Sequence, residues 1–334
     1  KHLMMTKQTF FTLGLIMFVF VGYTQETFKR TLMLMGSRFD ITVVANSKSE
    51  GIHGLNKAIE EISRIEALIS SWDETSQTSL INQNAGIKPV SVDEELFNLI
   101  KRSIQISKLT AGAFDISYAS MDVIWKFDGS LKVLPTVKNI EKAISKVGFQ
   151  NIILNEKDSS VFLVDKGMKI GFGGIGKGYA ADRAKDLLKS MGIRGGIINA
   201  SGDMSTWGKQ PTGQDWSVGI KNPLNKNKVF IMLPIFNKAV VTSGNYEKFV
   251  MINGDRYSHI IDPRTGYPSK GIVSASIFTS SAELADALAT SIFVMGIDVG
   301  LNFINQINDV ECILVDDLGA IHYSKNIKIE LNKL

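Results

Sequence analysis

Two residues one helical turn apart, Asp286 and Thr290, carry oxygen atoms suited to a hard metal ion. The segment around them, residues 281–295, is predicted to be a helix, and a spacing of four places both side chains on one helix face. A carboxylate and a hydroxyl are ligands of the kind that magnesium takes, rather than zinc. A structural alternative stays open at this point, in which Asp286 caps the helix and Thr290 only packs.

A second candidate is the glycine-rich segment GFGGIGKGYAAD, residues 171–182. Glycines let a backbone approach a ligand closely, and the start of the helix predicted over 177–191 offers free N–H groups to a phosphate. A phosphate loop would need Ser or Thr after the lysine, where this chain has Gly178. The G-x-G-x-x-G pattern also fits a dinucleotide fingerprint, but the acidic residue expected about 20 residues on comes late, at Asp203. The segment favours a diphosphate-like ligand; a tight strand-to-helix turn and a nicotinamide-binding domain remain alternatives.

The elements that must position these residues mix helices and strands. Apolar spacing predicts helices over 53–70, 93–108, 137–147, 177–191 and 281–295, with one more helix after 295. Short apolar runs predict strands over 38–45, 151–155, 160–165, 167–171, 196–200, 216–221, 228–234, 238–242, 257–261, 271–279, 311–316 and 319–323. Because strands and helices do not alternate regularly, the sequence predicts an α+β fold with mixed sheets and helices.

Composition excludes several classes of protein. The 334 residues are 44% hydrophobic, which is ordinary for a chain with a large buried core. The formal net charge of +4 comes from scattered residues, without a basic block, so nucleic acid is not an expected partner. Cys312 is the only cysteine, which excludes a disulfide framework and a thiolate metal cluster.

The first 25 residues have the pattern of an export signal. Lys7 precedes an apolar run over residues 9–22, which is shorter than the roughly 20 residues that a membrane-spanning helix needs. We therefore expect a signal peptide or N-terminal anchor over 1–25 and one domain over 26–334. The expected location is periplasmic, or anchored in the inner membrane on its periplasmic side, with peripheral membrane association as a further expectation.

Six motifs in combination give the chain a family resemblance. They are Met-Gly-Ser at 35–37, Trp-Asp-Glu-Thr-Ser at 72–76, Gly-Ala-Phe-Asp at 112–115, Gly-Gly-Ile-Gly-Lys-Gly-Tyr-Ala at 173–180, His-Ile-Ile-Asp-Pro-Arg-Thr-Gly at 259–266 and Asp-Ala-Leu-Ala-Thr at 286–290. With these motifs the chain resembles the ApbE-type flavin transferases, also called FAD:protein FMN transferases. The resemblance implies an ApbE-like flavin transferase fold and a reaction in which FMN passes from FAD to a Thr or Ser of a target protein. A phosphoester forms, AMP is released, and Mg²⁺ is the implied cofactor.

The resemblance also implies two groups of site residues. The FAD-binding group is Met35, Trp72, Ala113, Phe114, Asp115, Lys177 and Ile260. The magnesium group is Gly174, through its backbone carbonyl, with the side chains of Asp286 and Thr290. Implied partners are exported flavoprotein subunits with a Ser/Thr flavinylation site. The chain departs from the family pattern at Gly171, where the family usually has an Asp that contacts FAD.

Attack at a phosphorus atom needs an acceptor for the hydroxyl proton. His259 is the predicted base, since histidine ordinarily titrates near pH 6.5, and Asp262 and Asp115 are alternatives. His259 and Asp286 are thus the predicted catalytic residues, although a purely structural role for His259 stays open. Three other functions remain: an FAD diphosphatase giving FMN and AMP, a non-enzymatic FAD-binding protein, and a nicotinamide oxidoreductase.

Overall fold

The computed structural model describes residues 25–121, 123–222, 225–245 and 248–327. Its strands are β1 (Glu26–Leu34), β2 (Ser37–Ala45), β3 (Val90–Ser91), β4 (Ile152–Asn155), β5 (Ser160–Leu163), β6 (Gly195–Ala200), β7 (Asp203–Trp207), β8 (Trp216–Asn222), β9 (Asn225–Ile235), β10 (Ala239–Gly244), β11 (Phe249–Ile252), β12 (Asp255–Ser258), β13 (Ile272–Thr279), β14 (Glu311–Asp316) and β15 (Ile321–Tyr323). Its α-helices are α1 (Lys48–Ile69), α2 (Gln77–Gln83), α3 (Glu94–Leu109), α4 (Val137–Ile144), α5 (Gly176–Ser190), α6 (Ala282–Met295) and α7 (Ile297–Ile304). The predicted α+β class is confirmed.

An eight-stranded antiparallel sheet organises the chain, in the order β1-β2-β6-β7-β10-β13-β14-β15. The pairing between β7 and β10 is short, because it joins only Ala239 to Ser205 and Val240 to Met204. Along its other edge, β10 pairs with β13 over its whole length, from Ala239 to Gly244. The sheet therefore opens between the start of β7 and the second half of β10.

Helices α1, α5 and α6 lie side by side against this sheet. In α1 the buried residues include Leu55, Ala58, Ile62 and Ile65, the three-and-four spacing that predicted the helix. The helix begins at Lys48, earlier than predicted, because the Ser47 hydroxyl accepts a hydrogen bond from the backbone N–H of Glu50 at 3.2 Å. Such a cap satisfies an N–H group that a helix start leaves without an intrahelical partner.

A ribbon of β8 and β9 covers the opposite face of the sheet. Val218 and Ile220 of β8 pack with Val240 of β10 and with Phe278 of β13. The neighbouring residues Val241 and Ile277 belong instead to the core around α6. Because side chains alternate between the two faces of a strand, the ribbon and α6 lie on opposite sides of the sheet.

The structure corrects one predicted strand and adds others. Residues 167–171 form no strand; the side-chain amide of Asn82 holds the backbone of Ile170 instead, donating to its carbonyl at 3.0 Å and accepting from its N–H at 2.8 Å. Strands β1, β3, β7 and β11 and helix α2 were not predicted from the sequence.

In the part of the chain that the structure covers, no helix has the length and apolar character needed to span a membrane. The predicted signal peptide or anchor over 1–25 falls, apart from Gln25, outside the described residues.

Candidate active site

A cleft of about 540 Å³ occupies the opening between β7 and β10. We call it the polar cleft, and its chemically active side chains are those of Lys177, Asp203, His259, Asp286 and Thr290. Further contributions come from the loop after β1, from the turn between β6 and β7, and from Thr242–Gly244 at the end of β10. The structure thus brings the predicted metal ligands Asp286 and Thr290 together with Lys177, His259 and Ile260.

Asp286 is a buried carboxylate that joins two helices. Only 4% of the residue is exposed, and its Oδ2 accepts a hydrogen bond from the backbone N–H of Gly178 at 3.1 Å. Gly178 lies in the first turn of α5, so Asp286 caps that helix; the cap of its own helix is Ser281, whose hydroxyl accepts from Leu284 N–H. Burial raises the pKa of Asp286 above its usual range and the charge of Asp203 raises it further, whereas Lys177 acts in the opposite direction.

The close approach of the two helices depends on a glycine. A Cβ atom added at Gly178 would lie 2.1 Å from the carbonyl oxygen of Ala282, much closer than real atoms pack. A second link fixes the same crossing, because the Asp182 carboxylate accepts from the Ser281 hydroxyl at 2.9 Å and from the Glu283 N–H at 3.1 Å. The position of Asp286 against α5 is therefore set by packing as well as by its own hydrogen bond.

Lys177 and Asp203 form an ion pair at the floor of the polar cleft. Asp203 is 2% exposed, while 29% of the Lys177 side chain remains accessible. Two buried carboxylates, Asp203 and Asp286, therefore share the field of one ammonium group that still reaches solvent. A cluster of this kind is costly in water-poor surroundings and is typical of a site that receives charged ligands.

The glycine segment brings the start of α5 to this cleft. Gly173 lines the cleft, and a Cβ atom at Gly174 would lie 3.3 Å from Thr290 Oγ1 and 3.5 Å from the Phe114 ring. The backbone at Gly174 thus passes directly beside the Thr290 hydroxyl. The N–H groups of Gly176 and Gly178 are already engaged, because they donate to the Phe172 carbonyl at 2.7 Å and to Asp286 Oδ2 at 3.1 Å. The start of α5 therefore offers a phosphate group the positive end of its helix dipole rather than the free N–H groups expected from the sequence.

The ring of His259 is fixed by the backbone. Its Nδ1 lies 3.0 Å from the carbonyl oxygen of Lys248, an atom that only accepts hydrogen bonds. A neutral His259 therefore carries its proton on Nδ1, which makes Nε2 the basic nitrogen. The Phe127 ring meets the imidazole edge-on, with 6.4 Å between ring centroids.

Asp262 and Asp115, the two alternative bases, each accept several hydrogen bonds from nearby residues. Asp262 accepts from the backbone and guanidinium of Arg264 at 2.8–2.9 Å. Asp115 accepts from the N–H and hydroxyl of Ser117 and from the N–H of Phe149. Burial raises the pKa of Asp115, and these hydrogen bonds oppose the change. Neither carboxylate lines the polar cleft.

An aromatic cavity of about 640 Å³ lies next to the polar cleft, with walls formed by Trp72, Tyr118, Trp125 and Phe127. Trp72 is 93% exposed. Trp125 is fixed, because its indole N–H donates to Gly266 O at 2.8 Å and its ring stacks on Tyr257 at 5.7 Å. The two sites meet along the chain: Ile260 lines the cleft, whereas Ile261 lines the aromatic cavity.

Other predicted binding residues lie behind these surfaces. Ala113, Phe114 and Asp115 are buried. Met35, at a positive φ of 51°, packs against the core with its methyl group near Gly176. Gly171 adjoins the aromatic cavity, since a Cβ there would lie 3.1 Å from Ala119 Cβ.

The role of Asp203 was not predicted from the sequence. The sequence pattern suggested it only as a ribose ligand of a dinucleotide-binding domain, whereas the structure pairs it with Lys177. Arg38, Ser201, Thr242 and Lys248 also line the cleft and were not predicted. The available signal was the Ser-Gly-Asp turn at 201–203, which follows a strand and places a short carboxylate at its end.

Comparison with known proteins is consistent with this geometry. The ApbE family matches residues 35–314, so the chain belongs to that family. Among solved structures, the ApbE protein from Thermotoga maritima is 34% identical, with a TM-score of 0.82, covering 90% of this chain and 97% of that one. The flavin transferase ApbE from Vibrio cholerae is 25% identical, with a TM-score of 0.78, covering 90% and 98%. An FAD:protein FMN transferase from Klebsiella pneumoniae is 29% identical over 87% of this chain and 89% of its own length. The expected ApbE-like fold and the expectation of a transferase enzyme are confirmed.

The polar cleft offers a set of oxygen donors suited to magnesium. Among the described residues, no three His, Cys, Asp or Glu side chains converge on one metal position. The available donors are the Asp286 carboxylate, the Thr290 hydroxyl and the backbone beside it at Gly174. All are oxygen donors, and a magnesium site that also uses water and substrate phosphates needs only one or two protein carboxylates. The residues present therefore fit the ion.

Proposed function

We propose that this chain is an FAD:protein FMN transferase, which moves FMN from FAD to a Thr or Ser hydroxyl of a target protein and releases AMP. The observation that carries the proposal is the polar cleft, where Lys177, Asp203 and Asp286 meet the start of α5 beside the aromatic cavity. A dinucleotide needs both kinds of surface, one for its diphosphate and one for a ring. The names of the relatives support the same reaction.

The cleft residues divide the work of binding the diphosphate. The Lys177 ammonium and the positive end of the α5 helix dipole offset phosphate charge, and Asp203 holds the ammonium in place. Asp286, Thr290 and the Gly174 carbonyl would hold Mg²⁺, which when bound neutralises phosphate charge and orients the diphosphate. The ion would also favour the charged form of Asp286, whose burial is otherwise unfavourable.

The transfer step breaks one P–O bond and forms another. The acceptor hydroxyl attacks the phosphorus atom on the FMN side, the bridging P–O bond breaks, and AMP leaves with the bridging oxygen. His259 Nε2 takes the hydroxyl proton, since its Nδ1 is committed to the Lys248 carbonyl. The aromatic cavity binds one ring of FAD, with exposed Trp72 as a stacking surface.

The proposal also covers where the protein acts and which proteins it modifies. We infer that the chain is exported by its first 25 residues and acts in the periplasm, free or attached to the inner membrane. Its acceptors would be exported flavoprotein subunits that present a Ser or Thr flavinylation site. Detection of the processed protein in a periplasmic fraction, or of the anchored protein in a membrane fraction with its domain open to protease added from the periplasmic side, would test this location.

Mass spectrometry tests the reaction. The purified protein is incubated with FAD, Mg²⁺ and an acceptor domain that carries a Ser/Thr flavinylation site, with the Ala variant of that site as control. A mass gain equal to FMN on the acceptor alone, with AMP in solution, is the expected result. FMN and AMP without a mass gain would identify an FAD diphosphatase. FAD that remains intact across a panel of acceptor domains would indicate a binding protein and contradict the proposal.

A further inference from the structure

A side groove of about 500 Å³ runs from the polar cleft across the ribbon face of the sheet. Its walls are Arg38 and Asp40 of β2, Asn199, Ser201, Gly202 and Met204 of the β6–β7 hairpin, Ser217–Ile220 of β8, and Val240 and Thr242 of β10. Arg38, Ser201 and Thr242 line both spaces, so the side groove and the polar cleft are continuous.

Two strand edges border the side groove. On the β7 side, pairing of β10 stops after Val240, although the strand continues to Gly244 along β13. Among the strands that the structure describes, β8 pairs only with β9, so its other edge has no strand beside it. Backbone N–H and C=O groups on such edges are a template for an added strand.

The chemistry of the side groove suits a polypeptide better than a nucleotide. Its one close charge pair is internal, because the Arg38 guanidinium lies 2.9 Å from the Asp40 carboxylate. Asn199, Ser201 and Ser217 add neutral hydrogen-bonding groups. A second phosphate-binding surface would need net positive charge, which this lining does not offer.

We infer that the side groove receives an extended segment of the acceptor protein, on which the modified Ser or Thr is carried. This inference rests on the proposed transferase function. The segment adds to the open edge of β8 through backbone hydrogen bonds, and the shared wall at Arg38, Ser201 and Thr242 leads its hydroxyl into the polar cleft. Main-chain recognition of this kind supplies affinity, while the groove side chains supply specificity.

Site-directed cross-linking tests the location. Cys312 is the only native cysteine and is buried, so a cysteine introduced by Ser217→Cys can be labelled alone with a benzophenone maleimide. Ser217 is exposed in the side groove. The matched control is Ser190→Cys, exposed at the far end of the 15-residue helix α5, about 20 Å along the helix from the cleft. Illumination with the acceptor domain should attach position 217, and not position 190, to a peptide close to the flavinylated residue.

Kinetics provide the second readout. Ser217 lines the side groove but not the polar cleft, so Ser217→Trp obstructs the groove from a position outside the cleft. We expect the KM for the acceptor domain to rise roughly tenfold, the loss of one or two hydrogen bonds. FAD affinity should stay unchanged. Ser190→Trp should behave as wild type in both measurements.

The outcomes separate the inference from the proposed function. If the wild type transfers no FMN to any acceptor domain, the proposed function fails and the inference fails with it. If the wild type transfers FMN while Ser217→Trp keeps a normal acceptor KM and position 217 gives no cross-link, the inference alone is overturned. If Ser217→Trp weakens FAD binding instead, the groove belongs to the nucleotide, which also overturns it.

Discussion

The polar cleft and the aromatic cavity meet at residues 260–261, but different kinds of structure build them. In the cleft, Lys177, Asp203 and Asp286 sit on α5, β7 and α6, and each is buried or paired. In the aromatic cavity, Trp72 and Phe127 lie in loops, and Trp72 is almost fully exposed. The cleft holds charges at fixed positions, as phosphoryl transfer requires, whereas the cavity offers ring surface that adapts to a ligand. The difference predicts that changes in the cleft reduce rate and stability, and changes in the cavity reduce affinity.

The largest effect is expected from Asp286→Asn. The amide keeps the size of the side chain but removes the charge that would hold Mg²⁺, so the transfer rate should fall at least roughly 100-fold. Single-turnover transfer of FMN to the acceptor domain measures the change. Asp298→Asn, at an exposed position in the first turn of α7, is the matched control and should leave the rate unaltered. If D286N transferred FMN at nearly the wild-type rate, the polar cleft would not be the site of the chemical step.

Loss of the cleft cation should weaken the fold as well as the reaction. Lys177→Met leaves Asp203 and Asp286 buried without their ammonium partner, which should lower the free energy of unfolding by about 3 kcal/mol. The double variant Lys177→Met/Asp203→Asn should regain part of that loss, because one buried charge is gone. Urea unfolding of the single and double variants measures the free energy of unfolding that is lost and the part that is regained. A double variant no more stable than the single one would mean that Lys177 and Asp203 do not act as a pair.

The helix crossing behind the cleft gives a third prediction. Gly178→Ala places a methyl group 2.1 Å from the Ala282 carbonyl oxygen, so α5 and α6 must separate, at a cost of about 2 kcal/mol for overpacking. Gly54→Ala, in the middle of α1, is the matched control: its nearest neighbours would lie at 3.5–3.6 Å, an ordinary contact. Thermal unfolding should show a lower Tm only for the Gly178 variant. Equal Tm values would show that α5 and α6 can accommodate the added methyl group without loss of stability.

The smallest effect is expected in the aromatic cavity. Trp72→Ala removes an exposed stacking surface, so the KM for FAD should rise about tenfold while kcat changes little. Leu318→Ala, at a side chain that is 90% exposed in the loop before β15, controls for the loss of surface apolar area. Steady-state kinetics with varied FAD concentration give both constants. A fall in kcat at unchanged KM would place Trp72 in the chemical step instead.

Local patterns predicted much of this structure. The apolar spacing of α1 and α3 and the apolar strands β13 and β14 were found from the sequence, because each buries one face or both against the core. Asp286 and Thr290 were found because a helix places residues four apart on one face. The family resemblance added Lys177 and His259, which also line the cleft.

Features that depend on distant partners were not predicted. Lys177 and Asp203 are 26 residues apart and meet only because the β6–β7 hairpin turns back beside α5. The apolar run before the glycine segment was predicted as a strand, but the amide of Asn82, 88 residues away, holds its backbone instead. The opening between β7 and β10 arises because these two strands pair at only two positions, Ala239 with Ser205 and Val240 with Met204, and the apolar spacing within either strand does not show how far that pairing extends.

One paired measurement tests the division of labour most directly: FAD affinity, by flavin fluorescence, and the single-turnover rate of FMN transfer, for Asp286→Asn and Trp72→Ala side by side. We predict that Asp286→Asn loses the rate while FAD still binds, and that Trp72→Ala loses affinity while saturating FAD restores the rate. The opposite pattern, with Trp72→Ala slow at saturating FAD and Asp286→Asn transferring normally, would contradict the assignment of chemistry to the polar cleft.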